Sequence, residues 1–241
     1  SKRVDFIKNW ITDYVQSMPK KASTLVVGVS GGIDSAVVST ISSMTGLKTF
    51  VLSMPIKQIK TQDDLSKLHC KWLVSNFKNV SYLNVDLDNV FSSFENALGE
   101  NNSEHAFANS RARLRMTTLY QVAGSNNGIV VGTGNKVEDF GVGFYTKYGD
   151  GGVDISPIAD CTKSQVWEMG EFLEIDHKII SAPPTDGLWV DGRNDEDQLG
   201  MTYKELEEAM ENPKSENYNK YLKIRENNLH KIKEIPVCKF D

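Results

Sequence analysis

The residues best suited to chemistry in this chain run Gly28-Val29-Ser30-Gly31-Gly32-Ile33-Asp34-Ser35. Ser30, Gly31 and Gly32 are small enough to let an anion approach the backbone. An apolar run, Leu25 to Val29, precedes them, and Ala36-Val37-Val38 with Ile41 follows. That order reads as strand, loop, helix. Several N–H groups and the positive end of a helix then converge on the loop, which suits phosphate. No Gly-Lys-Ser/Thr follows the glycines, so this is not a Walker A loop. An acid, Asp34, stands where that loop would place its lysine. An acid beside a phosphate cradle is useful mainly when a divalent cation bridges the two. The plainer role for Asp34 is an N-terminal helix cap.

Other candidates lie further along. Thr133 follows the apolar stretch Gly128 to Gly132, at the carboxyl end of an expected strand, and Glu138 offers a second acid to join Asp34 at a metal. Either residue alone could equally be a loop residue or a cap. Gly143 to Asp154 mixes glycines, aromatics, Lys147 and two acids. Glycines permit close approach, aromatics stack on flat rings, and acids hold hydroxyls or ammonium; an exposed loop explains the stretch equally well. Arg111 and Arg115 share a helix face while Arg113 points nearly opposite. Solvated charge is the plain reading of any one arginine. Three in five residues favour anion binding by at least one.

The elements that must position these groups alternate. An amphipathic helix carries Ile7, Trp10, Ile11, Tyr14 and Val15 at helical spacing. Strands are expected at Leu25–Val29, Lys48–Ser53, Val80–Val85 and Gly128–Gly132. A helix near Thr61 turns Leu65, Leu68, Trp72 and Leu73 to one face, and Asp86–Leu98 turns Val90, Phe91, Phe94 and Leu98 inward. A long helix runs from Ala106 to Val122. Thr162 with Gln165, and Thr202 with Glu205, form capping boxes at further helix starts. A last helix spans Asn217 to Lys233, and its lone His230 has dipole pairing as the plain role. Ser181 to Gly200 reads as a long loop, a common form for a lid. Strands alternating with helices imply an α/β fold, a doubly wound, mainly parallel sheet with helices on both faces. Ligands in such sheets bind beyond the strands' carboxyl ends, near a switch in strand order.

Composition excludes several classes. The 241 residues carry a net charge of -5, which argues against a nucleic-acid scaffold. No apolar run approaches a membrane span, and no signal-peptide pattern opens the chain. Cys70, Cys161 and Cys238 stand apart and form neither a metal cluster nor a disulfide framework, so a reducing cytoplasm is the simplest setting. The opening Ser1, with no initiator methionine, hints at a trimmed start.

Ser30-Gly31-Gly32-Ile33-Asp34-Ser35 resembles the pyrophosphate loop of the N-type ATP pyrophosphatases, which cleave ATP between the α and β phosphates and adenylate a substrate. Further motifs narrow the resemblance to the ammonia-dependent NAD synthetase family. They are Asn109-Ser110-Arg111-Ala112-Arg113-Leu114-Arg115-Met116, Gly132-Thr133-Gly134-Asn135 with Glu138, and Thr146-Lys147-Tyr148-Gly149-Asp150-Gly151-Gly152. Ser156 to Val166, Pro183 to Leu188 and His230-Lys231 continue it in order. The resemblance implies that Gly28, Val29, Ser30, Gly31, Gly32, Ile33, Asp34 and Ser35 bind ATP, with Thr133, Lys163 and Thr185. It implies Asp34 and Lys163 as catalytic, and Asp34 and Glu138 as ligands of Mg²⁺. It implies deamido-NAD contacts from Arg113, Lys147, Asp154, His230 and Lys231, and a homodimer. The apolar residues Leu114, Met116, Leu119 and Val122, on more than one side of their helix, agree with a buried second face.

Two positions depart from the family pattern. Ser53 stands where some members carry an arginine near the adenine. Gly134-Asn135 replaces the Asp-His of many bacterial members. The expected protein is one NAD synthetase domain over 1–241 with no amidase domain, using ATP, deamido-NAD and free ammonia, with no nucleic-acid or membrane partner. Three alternatives stay open: another ATP pyrophosphatase, a non-enzymatic nucleotide-binding module of the same fold class, and a fragment of a glutamine-dependent synthetase.

Overall fold

Strand β1 (Thr24–Gly28) places Leu25 and Val27 in one apolar cluster and Val26 in another, as a period of two requires. Helices must therefore cover both of its faces. Strands β2 (Lys48–Ser53), β3 (Val80–Asn84) and β4 (Gly128–Val130) complete a sheet of order β3-β2-β1-β4. Every pairing is parallel, and Val26 stands opposite both Phe50 and Val130. The computed structural model describes residues 1–189 and 191–240. The helices, in chain order, are α1 (Lys2–Ser17), α2 (Ile33–Met44), α3 (Lys60–Asn76), α4 (Asp88–Leu98), α5 (Glu104–Ser125), α6 (Lys163–Phe172), α7 (His177–Ile180), α8 (Asp195–Leu199), α9 (Tyr203–Glu211) and α10 (Tyr218–Ile232). A π-helical turn occupies Lys136–Val142.

One core packs α1, α2, α6 and α7 on the Leu25–Val27 face. A second sets Phe91 of α4 and Phe107 of α5 against Val26, Leu52 and Val130. A third lies away from the sheet and joins the π-helical turn to α9 and α10 through Val137, Val142, Tyr203, Leu206 and Tyr221. The α/β class, the four strands and both capping boxes stand where the residue pattern put them.

Some inward assignments need correction. Val90 is 53 % exposed and Phe94 43 %, whereas Phe91 is buried. Trp10 and Tyr14 are also partly open and stack on each other, ring centres 6.0 Å apart, while Val4, Ile7, Ile11 and Val15 form the buried stripe. Trp10, Tyr14 and Val90 each precede a buried residue by one, which turns them about 100° away from it. Leu68 of α3 is likewise exposed. The Ser181–Gly200 stretch is not all loop. Asn194 accepts the Asp197 N–H at 2.8 Å and caps the short α8, which ends at Gly200 with a φ of +64°. Val190 of that stretch lies outside the described residues.

His69 supplies a stability prediction. It is 2 % exposed, its Nε2 lies 3.1 Å from the Ala36 carbonyl, and its ring stacks on Trp72. Burial pushes its pKa down to about 4 from 6.5. The folded state thus binds fewer protons than the unfolded state between those values. Stability is full above pH 6.5 and is lost as pH falls towards 4, by up to about 3 kcal/mol. Buried acids such as Asp34 and Asp139, whose pKa values are raised, shift stability the other way, so the test is a difference: in urea titrations at pH 7 and pH 4.5, His69→Gln should lose less stability at the lower pH than the unaltered chain. An equal loss in the variant would place the effect elsewhere.

Candidate active site

The cavity opens beyond the carboxyl ends of β1 and β4, where the chain, having laid β2 and β3 to one side of β1, crosses to the other. Gly28, Val29, Ser30, Gly32, Ile33, Asp34 and Ser35 line it. Gly31 does not line it, and it shapes the loop's backbone. Its φ is +94°, and a Cβ there would stand 2.6 Å from the Gln62 carbonyl oxygen of α3. The loop is also tied internally: the Ser30 N–H donates to Ser35 Oγ at 3.1 Å and the Gly32 N–H to Ser30 Oγ at 3.2 Å. Gly31→Ala should cost about 1–3 kcal/mol of stability from backbone strain alone. A melting temperature equal to that of the unaltered chain would show that the loop tolerates a side chain.

Asp34 and Glu138 are brought together, with a cation between them. Lys163, in the first turn of α6, points its Nζ to Asp34 Oδ2 at 2.5 Å and to Glu138 Oε1 at 3.2 Å. The Lys163 side chain is 3 % exposed, and those of Asp34 and Glu138 are 16 % and 15 % exposed. Burial pushes Asp34 up to about 6, opposed by Lys163. For Lys163, burial alone would lower the pKa, but the two carboxylates outweigh it and raise it. The π-helical turn delivers Glu138. Asn135 caps that turn by accepting the Val137 and Glu138 N–H groups, and its Nδ2 donates to Asp34 Oδ1 at 3.3 Å.

The cavity is strongly acidic. Asp34, Asp63, Glu138, Asp139, Asp150, Asp186 and Asp195 line it, against Arg115 and Lys163. Burial, with the neighbouring Glu138, pushes Asp139 up to about 8 and Asp195 up to about 7. The acids of this wall that stay ionised oppose an anionic ligand, and a bound cation relieves that opposition. Among the described residues no group of three or more His, Cys, Asp or Glu is arranged to hold a metal ion. Mg²⁺ does not need one, because it binds through one or two carboxylates together with substrate phosphates and water. Two acids already gathered around an ammonium fit that requirement.

Thr133, Lys163 and Thr185 line the same cavity. Thr185 arrives on the segment after α7, where its Oγ1 donates to the Arg193 carbonyl at 3.2 Å. The expected deamido-NAD residues mostly gather elsewhere. The exposed Arg113 donates from Nε to the Lys147 carbonyl at 3.1 Å, and Lys147 Nζ reaches the His230 carbonyl at 3.4 Å. Lys231 Nζ donates to the carbonyls of Gly143 and Tyr145. Asp154 stands apart, accepting from Tyr120 Oη and from the Val130 N–H. None of these five lines the cavity.

Of the neighbouring arginines, Arg111 is buried and holds the Leu188 carbonyl and Glu104. Arg115 lines the cavity and donates to Met54 O and Gln58 Oε1, both at 2.9 Å. Leu114, Leu119 and Val122 pack into the second core, and Met116 lines the cavity. The spread of apolar residues around α5 is therefore used within the chain and does not itself call for a second copy. Sequence reasoning missed Asp195, Asp139 and Tyr203, which no local pattern distinguishes.

Fold and cavity together define a parallel α/β protein with a cavity at the switch in strand order, where the loop after β1 faces two acids that share Lys163. Residues 3–238 match the family model described as NAD synthase, and the chain belongs to that family. It is 38 % identical over 210 residues to the NH(3)-dependent NAD(+) synthetase of Carboxydothermus hydrogenoformans, covering 85 % of this chain and 83 % of that protein. An NMN synthetase structure from Francisella tularensis superposes with a TM-score of 0.89 at 31 % identity, covering 99 % and 98 % of the two chains. The Campylobacter jejuni NH3-dependent NAD synthetase, solved with a nitrate ion, shares the fold with a TM-score of 0.78 at 24 % identity and the same coverage.

Proposed function

We infer that this chain amidates the nicotinate carboxylate of deamido-NAD with free ammonia, using ATP and releasing AMP and pyrophosphate. Family membership carries the reading, and the acid pair facing the phosphate loop supports it. In the first step the substrate carboxylate attacks the α-phosphorus of ATP and pyrophosphate leaves. Ammonia then attacks the carbonyl of the adenylate and AMP departs. The substrate supplies its own nucleophile, so no nucleophilic side chain is needed. Stabilisation of charge gathering on the leaving pyrophosphate is assigned to the loop after β1 and to the Lys163 ammonium. Asp34 and Glu138 would hold Mg²⁺, which when bound neutralises phosphate charge. Thr133 and Thr185 are assigned to ATP, and the segment around Thr185 excludes water from the adenylate.

The exposed group Arg113, Lys147, His230 and Lys231 is assigned to the far part of the dinucleotide, with Asp154 beside it, and we place that contact at the edge of a homodimer. The reading treats 1–241 as one domain and gives the protein a cytoplasmic setting, in keeping with buried, unlinked Cys70 and Cys161. No helix among the described residues is long and apolar enough to cross a membrane.

The similarity to the NMN synthetase structure favours one second reading, in which the acid amidated is nicotinate mononucleotide. One assay separates the two. The chain is mixed with ATP, Mg²⁺ and ammonium and given each acid in turn, and kcat/KM is compared. A preference for deamido-NAD, lost in Arg113→Ala, supports the first reading. A preference for the mononucleotide, indifferent to Arg113, supports the second. Turnover of neither acid overturns both.

A further inference from the structure

Tyr203 has no part in the chemistry above, yet it is one of the largest fully buried side chains. Its hydroxyl lies 2.6 Å from Glu138 Oε1 and 3.1 Å from Asp195 Oδ2. A phenol carries one proton. The shorter contact assigns that proton to Glu138, so the Tyr203 hydroxyl fixes one oxygen of a candidate cation ligand. The ring is held independently of this bond. It packs edge-on to Trp167, centres 6.1 Å apart, and Lys163 Nζ lies 5.0 Å from its centre. The capping box of Thr202 and Glu205 fixes the backbone at the start of α9.

The other neighbour, Asp195, belongs to a segment that lines the cavity through Ala182 to Asp186, Leu188 and Asp195 itself, called the roof below. Its N–H donates to the Pro184 carbonyl at 2.9 Å, and Pro184 lines the cavity beside Thr185. Glu196, the next residue, accepts the Tyr203 N–H at 3.0 Å. Asp195 is 4 % exposed, and among the described residues its Oδ1 has no hydrogen-bond partner. Buried oxygens of this kind are normally satisfied. Tyr203 thus joins this segment firmly through Glu196, while at its hydroxyl Asp195 competes with Glu138, a candidate cation ligand, for the one proton.

Resting on the Mg²⁺–ATP reading above, we propose that Tyr203 and Asp195 are positioning residues that link Glu138 to the 182–199 roof, so that filling the Asp34–Glu138 position and seating the roof over the nucleotide are one event. Neither residue is assigned a contact with reacting atoms. Tyr203 sets the orientation of the Glu138 carboxylate, and Asp195 transmits that setting to the Pro184–Thr185 backbone.

Two variants and two readouts test this. Tyr203→Phe keeps the ring and removes the hydroxyl, and Asp195→Asn keeps the shape and removes the charge. The first readout is the Mg²⁺ dependence of turnover. The second is subtilisin cleavage within 182–199 in the presence of ATP and increasing Mg²⁺, with no pyridine substrate. In Tyr203→Phe, half-saturating Mg²⁺ should rise about tenfold, the usual scale for losing a partner of a metal ligand, with a smaller change in kcat. The Mg²⁺ needed to protect the roof should rise by the same factor. Asp195→Asn should shift both curves in the same direction, and it carries the test alone if Tyr203→Phe does not fold. A purely packing role would lower the melting temperature and leave both curves in place, which would overturn the proposal. Cleavage requires only Mg²⁺ and ATP, so it reports on the link even if a different acid proves to be the one amidated.

Discussion

Asp34→Asn is expected to abolish turnover while the chain stays folded. Asp34 lines the cavity at the start of α2, directly after the phosphate loop, and shares Lys163 with Glu138. An amide cannot supply the negative charge that a divalent cation needs. Losing several kcal/mol of charge stabilisation at the phosphates corresponds to about a thousandfold in kcat. The fold should tolerate the change. Burial already opposes charge at Asp34 and lifts its pKa to about 6, so neutralising it relieves a desolvation cost. Lys163 keeps Glu138 as a partner. Product formation at saturating Mg²⁺, measured beside a thermal melt, decides the matter. Near-normal turnover would remove Asp34 from the metal role, and a collapsed melt would make it a structural residue.

Lys163→Met should produce the opposite pattern in metal binding. Its ammonium is the cation now held between the two carboxylates, and its side chain is 3 % exposed. Removing it leaves two largely buried acids without a countercharge. Breaking a buried pair in this way costs about 3–5 kcal/mol. The ligand-free variant should therefore melt lower than the unaltered chain. It should also bind Mn²⁺, used as a spectroscopic probe, more tightly than the unaltered chain does in the absence of ATP, because no resident ammonium competes. Added divalent cation should restore much of its melting temperature. Turnover should nevertheless fall by at least about a hundredfold if, as proposed, the Lys163 ammonium also meets developing phosphate charge. Weaker or unchanged Mn²⁺ binding would show that Lys163 does not occupy the cation position.

The two substitutions touch the same three side chains, so their effects will not add. Side chains sharing one ion-pair network commonly show coupling of about 0.5–3 kcal/mol. Asp34→Asn combined with Lys163→Met should be more stable than the sum of the single effects, because it removes one acid along with the cation.

The local devices of this protein were legible in its residues. The small residues between a buried strand and a helix predicted the tight loop that lines the cavity, since its conformation is set within the loop itself. The capping boxes at Thr162 and Thr202 close within four residues and appear as read. The alternation of strands and helices sets the fold class, because a parallel sheet needs crossovers that cover both faces. The exposure of Val90, Trp10 and Tyr14 could not be read in the same way. An apolar residue at the margin of a helix stripe is covered only if a neighbouring element reaches it, and that depends on packing.

The active arrangement itself was decided by tertiary structure. Asp34 and Lys163 are 129 positions apart, Asp34 and Asn135 101, and Glu138 and Tyr203 65. No periodicity spans such distances, so the residues could name Asp34, Glu138 and Lys163 as chemical candidates but could not show that the lysine sits between the acids. Tyr203 and Asp195 carried no signal, since a tyrosine after a helix cap and an acid within a polar segment are ordinary. The apolar sides of α5 pointed outward on the helical wheel but are consumed by the sheet and the cavity, because burial depends on what surrounds a helix on every side. Residue types set what each group can do. The crossing of the chain from β3 to β4 decided which groups meet, because it brings the loop after β1 and the turn after β4 to one end of the sheet.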